Sequence, residues 1–94
     1  MNQTLFLRFR DTQGDHQSEI LEREMTLGRT DASDIRIDDE TISRKHARII
    51  WEDGTPVIVD AGSRNGIYLS EERVERMELR EGRDFRLRGV SILL

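Results

Sequence analysis

Three stretches of the 94-residue chain hold the residue types that can bind or react: Leu27-Gly28-Arg29-Thr30-Asp31-Ala32-Ser33-Asp34-Ile35, Asp38-Asp39-Glu40-Thr41-Ile42-Ser43-Arg44-Lys45-His46-Ala47-Arg48-Ile49, and Asp60-Ala61-Gly62-Ser63-Arg64-Asn65-Gly66. Each admits a plain reading. Arg29 alone is a solvated strand-end residue, Ser43 a turn serine, Arg44 and Lys45 a charged loop, and Asn65-Gly66 a tight turn. Sharper chemistries are also conceivable for these residues. Ser43 and His46 stand three residues apart, as a nucleophile and its base might. No third group is evident, and so small a core leaves little room for a pocket with an oxyanion hole. No enzyme is expected. Asp31, Asp34, Asp38, Asp39 and Glu40 could suggest calcium, but their spacing does not fit a calcium loop and the neighbouring basic residues oppose it. No metal or cofactor is expected.

Composition narrows the classes further. The chain is 35% hydrophobic and 36% charged, with a net charge of −4. Nucleic-acid binding normally calls for a basic face, so it is not expected. A local basic cluster can still take an anion, because net charge says nothing about where charges sit. The absence of cysteine removes disulfides, thiolate chemistry and Cys-ligated zinc. Leu5 to Phe9 is broken by Arg8 and Arg10, so no leader is expected there, and no apolar run is long enough to span a membrane. The expected compartment is the cytoplasm. Asn2-Gln3-Thr4 fits the glycosylation sequon, which means little without a secretory signal. Residues 1–94 are expected to form one domain, a module of a longer protein.

Alternation is the pattern that must position the loops. Leu5, Leu7 and Phe9 point one way, and Asp11 to Gly14 reads as a turn, with His16 in a polar turn beyond it. Ser18–Leu27 reads as one strand, although Leu21 and Met25, four apart, also suit a helix. Ile35–Ile37, Ala47–Trp51 and Val57–Val59 read as strands, the last two joined through Glu52-Asp53-Gly54-Thr55-Pro56. Ile67–Leu69, Asp84–Leu87 and Val90–Leu94 follow, and propensity alone makes Ser70–Arg83 helical. Trp51 is expected to cap the core or an edge. The sum is all-β: a two-sheet β-sandwich of about ten to eleven short, mostly antiparallel strands with functional loops at one end.

Gly28-Arg29 after a strand, then Ser43-Arg44-Lys45-His46-Ala47-Arg48-Ile49, then Asp60-Ala61-Gly62-Ser63-Arg64-Asn65-Gly66, resembles the signature of the forkhead-associated (FHA) family. Order and spacing both match, with 14 positions from Arg29 to Ser43 and 22 from Ser43 to Asn65. The similarity runs from about Leu21 to Leu94. It implies a β-sandwich whose loops bind phosphothreonine in a partner protein. On that resemblance Arg29 and Ser43 hold the phosphate, Arg44 adds a second positive contact, and Asn65 hydrogen-bonds the peptide backbone. His46 braces the loops, Gly28 lets the chain turn, and Gly66 completes the Asn-Gly turn. The partner implied is a phosphothreonine-containing kinase substrate, in trans or within the same longer chain.

The chemistry is consistent with those roles. Phosphothreonine carries about −1.5 to −2 charges. An arginine fork and a serine hydroxyl match its oxygens. A few charge-assisted bonds, less the cost of ordering a peptide, suit an affinity of roughly −8 kcal/mol, or micromolar.

The chain departs from the family pattern at Arg64, where Thr or Ser is common, and at Ile67, where Thr is common. Tyr68-Leu69-Ser70 replaces Val-Asn-Gly, and Gly82-Arg83-Asp84 places the usual aspartate one position late. Arg64 can add a further positive contact to a ligand. The resemblance also turns Ser70–Arg83 into a hairpin with Ser70-Glu71-Glu72 as its turn. The alternative reading is a degenerate FHA-like module that binds its partner without phosphate.

Overall fold

A computed structural model describes residues 4–94, so Asn2 and Gln3 of the sequon lie outside it. Eleven strands and no helix form among the described residues: β1 (Phe6–Asp11), β2 (Gly14–Glu19), β3 (Met25–Gly28), β4 (Ile35–Arg36), β5 (Ala47–Glu52), β6 (Thr55–Asp60), β7 (Ile67–Leu69), β8 (Glu72–Val74), β9 (Arg76–Glu78), β10 (Phe85–Leu87) and β11 (Val90–Ile92). One sheet runs β4-β3-β5-β6-β9 and another β11-β10-β7-β8. The β1-β2 hairpin joins the second through Arg8 and Leu93, which exchange backbone bonds of 2.9 and 2.8 Å. Two layers therefore enclose one core, and among the described residues only β3 and β4 pair in parallel. No helix of the described residues is long and apolar enough to cross a membrane.

Period-two burial builds that core. Leu7 and Phe9 are buried while Arg8 and Arg10 are exposed. Leu27, Ala47, Ile49, Ile58, Phe85, Leu87 and Ile92 fill the space between the layers. Each large side chain fully buried in this way contributes about 1.5–3 kcal/mol relative to exposure. Trp51 packs against the cluster from its margin, and its indole N–H donates to the Leu21 carbonyl at 2.8 Å.

Register positions the loops. Leu27 pairs with Ala47, and Ala47 with Asp60, so one row of the five-stranded sheet carries three strand ends. Neighbouring strands lie about 4.8 Å apart. The segments 29–34, 37–46 and 61–66 thus leave the sheet side by side.

Several local expectations are corrected. Ser18–Leu27 is not one element: β2 ends at Glu19 and β3 begins at Met25. Ile20 and Met25 are both buried, at odd separation, and no single alternating strand can put both inside. His16 lies in β2 rather than in a turn, opposite Phe9, with its ring stacked at 5.2 Å between centroids. The turns are also tighter than expected. Asp53-Gly54 alone joins β5 to β6, both residues at positive φ as the hairpin twist favours. Ser70-Glu71 joins β7 to β8, and Glu72 already pairs with Leu69.

A carboxylate cluster pins the β1-β2 turn to the second loop. The Asp11 side chain, 2% exposed, accepts from the Asp38 and Gln13 amides and from His16, each at 2.8 Å. Burial opposes its ionisation, but these bonds outweigh it and hold the carboxyl below its ordinary range. Asp38 is also lowered, first by Thr12 and Gln13 and then by the nearby Arg36 and Arg29. Asp34 is lowered by the Thr26 amide and by Arg23. Depressed folded values give stability that is complete above the unfolded carboxylate range and is lost as pH falls through the folded values. The melting temperature should therefore drop steeply below about pH 4. Asp11→Asn should lose about 1–3 kcal/mol near neutrality, and its deficit against the parent should shrink in acid. A deficit unchanged from neutral to acid pH would contradict this linkage.

Candidate functional site

Arg29 follows the last residue of β3, and two hydrogen bonds fasten it to the second loop. Its backbone N–H donates to the Ser43 carbonyl at 3.1 Å, and its Nε–H donates to the Ile42 carbonyl at 2.9 Å. The guanidinium is thereby oriented, and its two terminal amino groups have no hydrogen-bond partner among the described residues.

Ser43 is held as firmly. Its amide donates to His46 Nδ1 at 3.1 Å, and its Oγ accepts the Arg64 amide at 3.0 Å. The hydroxyl proton is left to donate outward. Asn65 donates from Nδ2 to the Thr41 carbonyl at 2.9 Å, which keeps its Oδ1 and a second N–H for other partners.

His46 holds the three loops in one arrangement. It is fully buried, and its Nε2 lies 2.8 Å from the Gly66 carbonyl. Because Nδ1 accepts an amide proton, Nε2 must carry the ring's own proton, so the imidazole is the neutral Nε2–H tautomer. Its backbone adds a bond to the Leu27 carbonyl at 2.9 Å and one from the Ala61 amide at 3.1 Å. Both ring nitrogens are engaged with backbone, so the imidazole does not serve as a base for the Ser43 hydroxyl.

The two glycines act by closeness. A Cβ on Gly28 would stand 2.0 Å from the Arg44 carbonyl oxygen, and the residue has no positive φ. Its function is to let the second loop lie against β3, not to turn the chain. Gly66 combines a φ of +83° with contact against Arg73. Its amide donates to the buried Ser63 Oγ, whose own amide donates to Asp60.

Arg29, Ser43, Arg44, Arg64 and Asn65, the five residues expected at a binding site, all line one open groove of about 630 Å³. Thr41, Ile42, Glu40 and Arg88 complete the lining. Lys45 is exposed and off the groove. Four of the five acidic residues of the first two loops have partners within the chain: Asp31 meets Arg36, Asp34 meets Arg23 and Thr26, Asp38 meets Thr12 and Gln13, and Asp39 meets Thr41, while Glu40 lines the groove.

Three residues were not anticipated. Thr41 offers its carbonyl to Asn65 and its Oγ1 to the Gly89 amide at 3.3 Å. Ser63 lies inside the signature but had no assigned part. Arg88 comes from the distant β10-β11 turn, and no local pattern marks it.

A family model described as "FHA domain" matches residues 25–88. An oxoglutarate dehydrogenase inhibitor of Corynebacterium diphtheriae is 49% identical over 47 residues, which are 50% of this chain and 33% of the relative. The glycogen accumulation regulator GarA of Mycolicibacterium smegmatis is 44% identical over 57 residues, 61% of this chain and 36% of the relative. The chain thus spans about a third of the length of these curated relatives. A solved structure from a structural and functional analysis of phosphothreonine-dependent FHA domain interactions superposes with a TM-score of 0.85 at 25% identity, covering 97% of this chain and 94% of that one.

The bracing assigned to His46 can be measured directly. Truncation to alanine strands the Ser43 amide and the Gly66 carbonyl, so His46→Ala should lose about 2–4 kcal/mol in urea unfolding. Lys45→Ala, one position away, should stay within about 0.5 kcal/mol of the parent. Equal stability of the two variants would remove His46 from the account.

Proposed function

Because the chain belongs to the FHA domain family, as the match over residues 25–88 establishes, we propose that it is a phosphothreonine-dependent interaction module whose groove takes a phosphorylated peptide segment of a partner. One observation carries the reading. Arg29 is tied through its backbone and its Nε to the loop that bears Ser43, and the free ends of guanidinium and hydroxyl face a common groove. A doubly charged phosphate is the ligand whose oxygens suit that pair.

In this reading Arg29 and Ser43 take the phosphate, and Arg44 adds charge. Asn65 pairs with the peptide backbone beside the phosphothreonine through the amide atoms that Thr41 leaves free. Arg64 reaches the ligand with its side chain while its amide steadies Ser43. Gly28, His46 and Gly66 keep the loops in place. The module acts by binding, without turnover.

Residues 1–94 constitute one such module of a longer protein. The two curated relatives are named as an inhibitor and a regulator. A regulatory part for this chain follows by likeness, with the phosphothreonine supplied by a kinase substrate or by a segment of the same polypeptide.

Arg29→Ala and Ser43→Ala should each weaken a phosphothreonine peptide by about tenfold or more, as loss of one charge-assisted contact implies. Both variants should keep a cooperative melt. Fluorescence anisotropy with phosphorylated and unphosphorylated forms of one peptide is the measurement. Parent-like affinity in both variants would overturn the assignment, and equal binding of the unphosphorylated peptide would favour the phosphate-independent module.

A further inference from the structure

The groove holds more positive charge than one phosphate consumes. Arg29, Arg44, Arg64 and Arg88 all line it, and Glu40 is its one carboxylate. Outside the groove, six of ten arginines (Arg10, Arg23, Arg36, Arg48, Arg76 and Arg80) meet a carboxylate among the described residues, and the remaining four, Arg8, Arg73, Arg83 and Arg86, are scattered rather than gathered on one surface. None of the four groove arginines forms an ion pair with any described residue. Asp38, close enough to feel Arg29, does not line the groove and is already engaged by Thr12, Gln13 and Arg36. A phosphothreonine brings about −1.5 to −2 charges to this surface. Four guanidiniums against Glu40 leave positive charge over after it binds.

Arg88 stands apart from the other three. It occupies the first position of the two-residue turn between β10 and β11 with φ +61°, a conformation that favours glycine. Glycine is present in that turn, but at the next position. There Gly89 lies against Thr41, and a Cβ would fall 3.0 Å from Thr41 Oγ1. The Gly89 amide also donates to that oxygen, and the Thr41 carbonyl receives Asn65. The turn is thus fastened to the segment that holds the peptide-facing asparagine. This turn places an arginine at the lip of a groove already rich in arginine, and its guanidinium has no partner among the described residues. The dihedral suits a two-residue hairpin turn, as at Asp53 and Ser70, so what sets Arg88 apart is its place at the groove with an unpartnered guanidinium.

Resting on the reading of the groove as a phosphothreonine site, we infer that its ligand carries a second anionic group close to the phosphothreonine, and that Arg88 is the residue that selects for it. The chemistry required is a carboxylate or a second phosphate on a flanking residue. Either one pairs with a guanidinium fork, the phosphate with more charge.

The test uses synthetic phosphothreonine peptides with neutral flanks. A glutamate or a second phosphothreonine is then placed at each flanking position in turn. Affinities are compared for the parent, Arg88→Gln and Arg88→Gly. At one or more positions the second anion should tighten parent binding about three- to fivefold, as a partly exposed ion pair allows. Glutamate peptides and doubly phosphorylated peptides tell the two sources apart. Both variants should lose the gain while binding the neutral-flank peptide within about twofold of the parent. Arg88→Gly should also melt no lower than the parent, because glycine accepts the positive φ. The same gain in parent and variants, or no gain at any position while the neutral-flank peptide still binds, would overturn this inference and leave the phosphothreonine site standing. Failure of every peptide to bind the parent would overturn both. Displacement of the peptide by a single-stranded oligonucleotide, as effective as by the doubly anionic peptide, would also overturn it.

Discussion

A buried, neutral imidazole is the constraint on which the rest of the site depends. His46 accepts the Ser43 amide on one ring nitrogen and donates to the Gly66 carbonyl from the other. Its backbone reaches Leu27 and Ala61. Three loops that leave one row of the sheet would otherwise have no shared reference. With both ring nitrogens satisfied, the residue can be fully buried without penalty, since an unpaired polar atom there would cost about 1–3 kcal/mol. Gly28 complements it by letting the Arg44 backbone lie directly on β3. Rigidity at the base of the loops leaves the outer ends of Arg29, Ser43, Arg44, Arg64 and Asn65 to face a ligand.

Charge is distributed to match. The chain is net acidic, yet the groove gathers arginines that no carboxylate neutralises. Asp34, Asp38 and Asp39 in the first two loops are engaged by amides, hydroxyls and other arginines, where they shape the loops. The Asp11–Asp38 link does the same from outside, tying the β1-β2 turn to the loop that carries Ser43. Net charge alone conceals this arrangement.

Much of the site was legible in the sequence because its parts are short and their spacing is set by strand length. The alternation of β1, β5 and β6 gave the layers, and the three loop motifs supplied the lining residues. What escaped did so for physical reasons. β2 puts Gly14, His16 and Ser18 on its inner side, so no apolar alternation announces it. The break at residues 20–24 shows only in the parity of Ile20 and Met25, once both are known to be buried. The need for Gly28 is a contact with Arg44, sixteen positions on, and not a local dihedral. Arg88 reaches the groove only because β10, with β11 on its other edge, pairs with β7 in the opposite layer, which no window of sequence reveals.

The central claim is that one groove, built from three loops and bordered by a fourth turn, receives the phosphothreonine. Amide chemical-shift mapping of the whole domain during titration with a phosphothreonine peptide tests it most directly. The largest changes should fall in residues 28–30, 41–46, 63–66 and 88–89, and should be absent with the unphosphorylated peptide. Changes concentrated instead on the outer face of β1, β2 and β11, or identical for the two peptides, would contradict it.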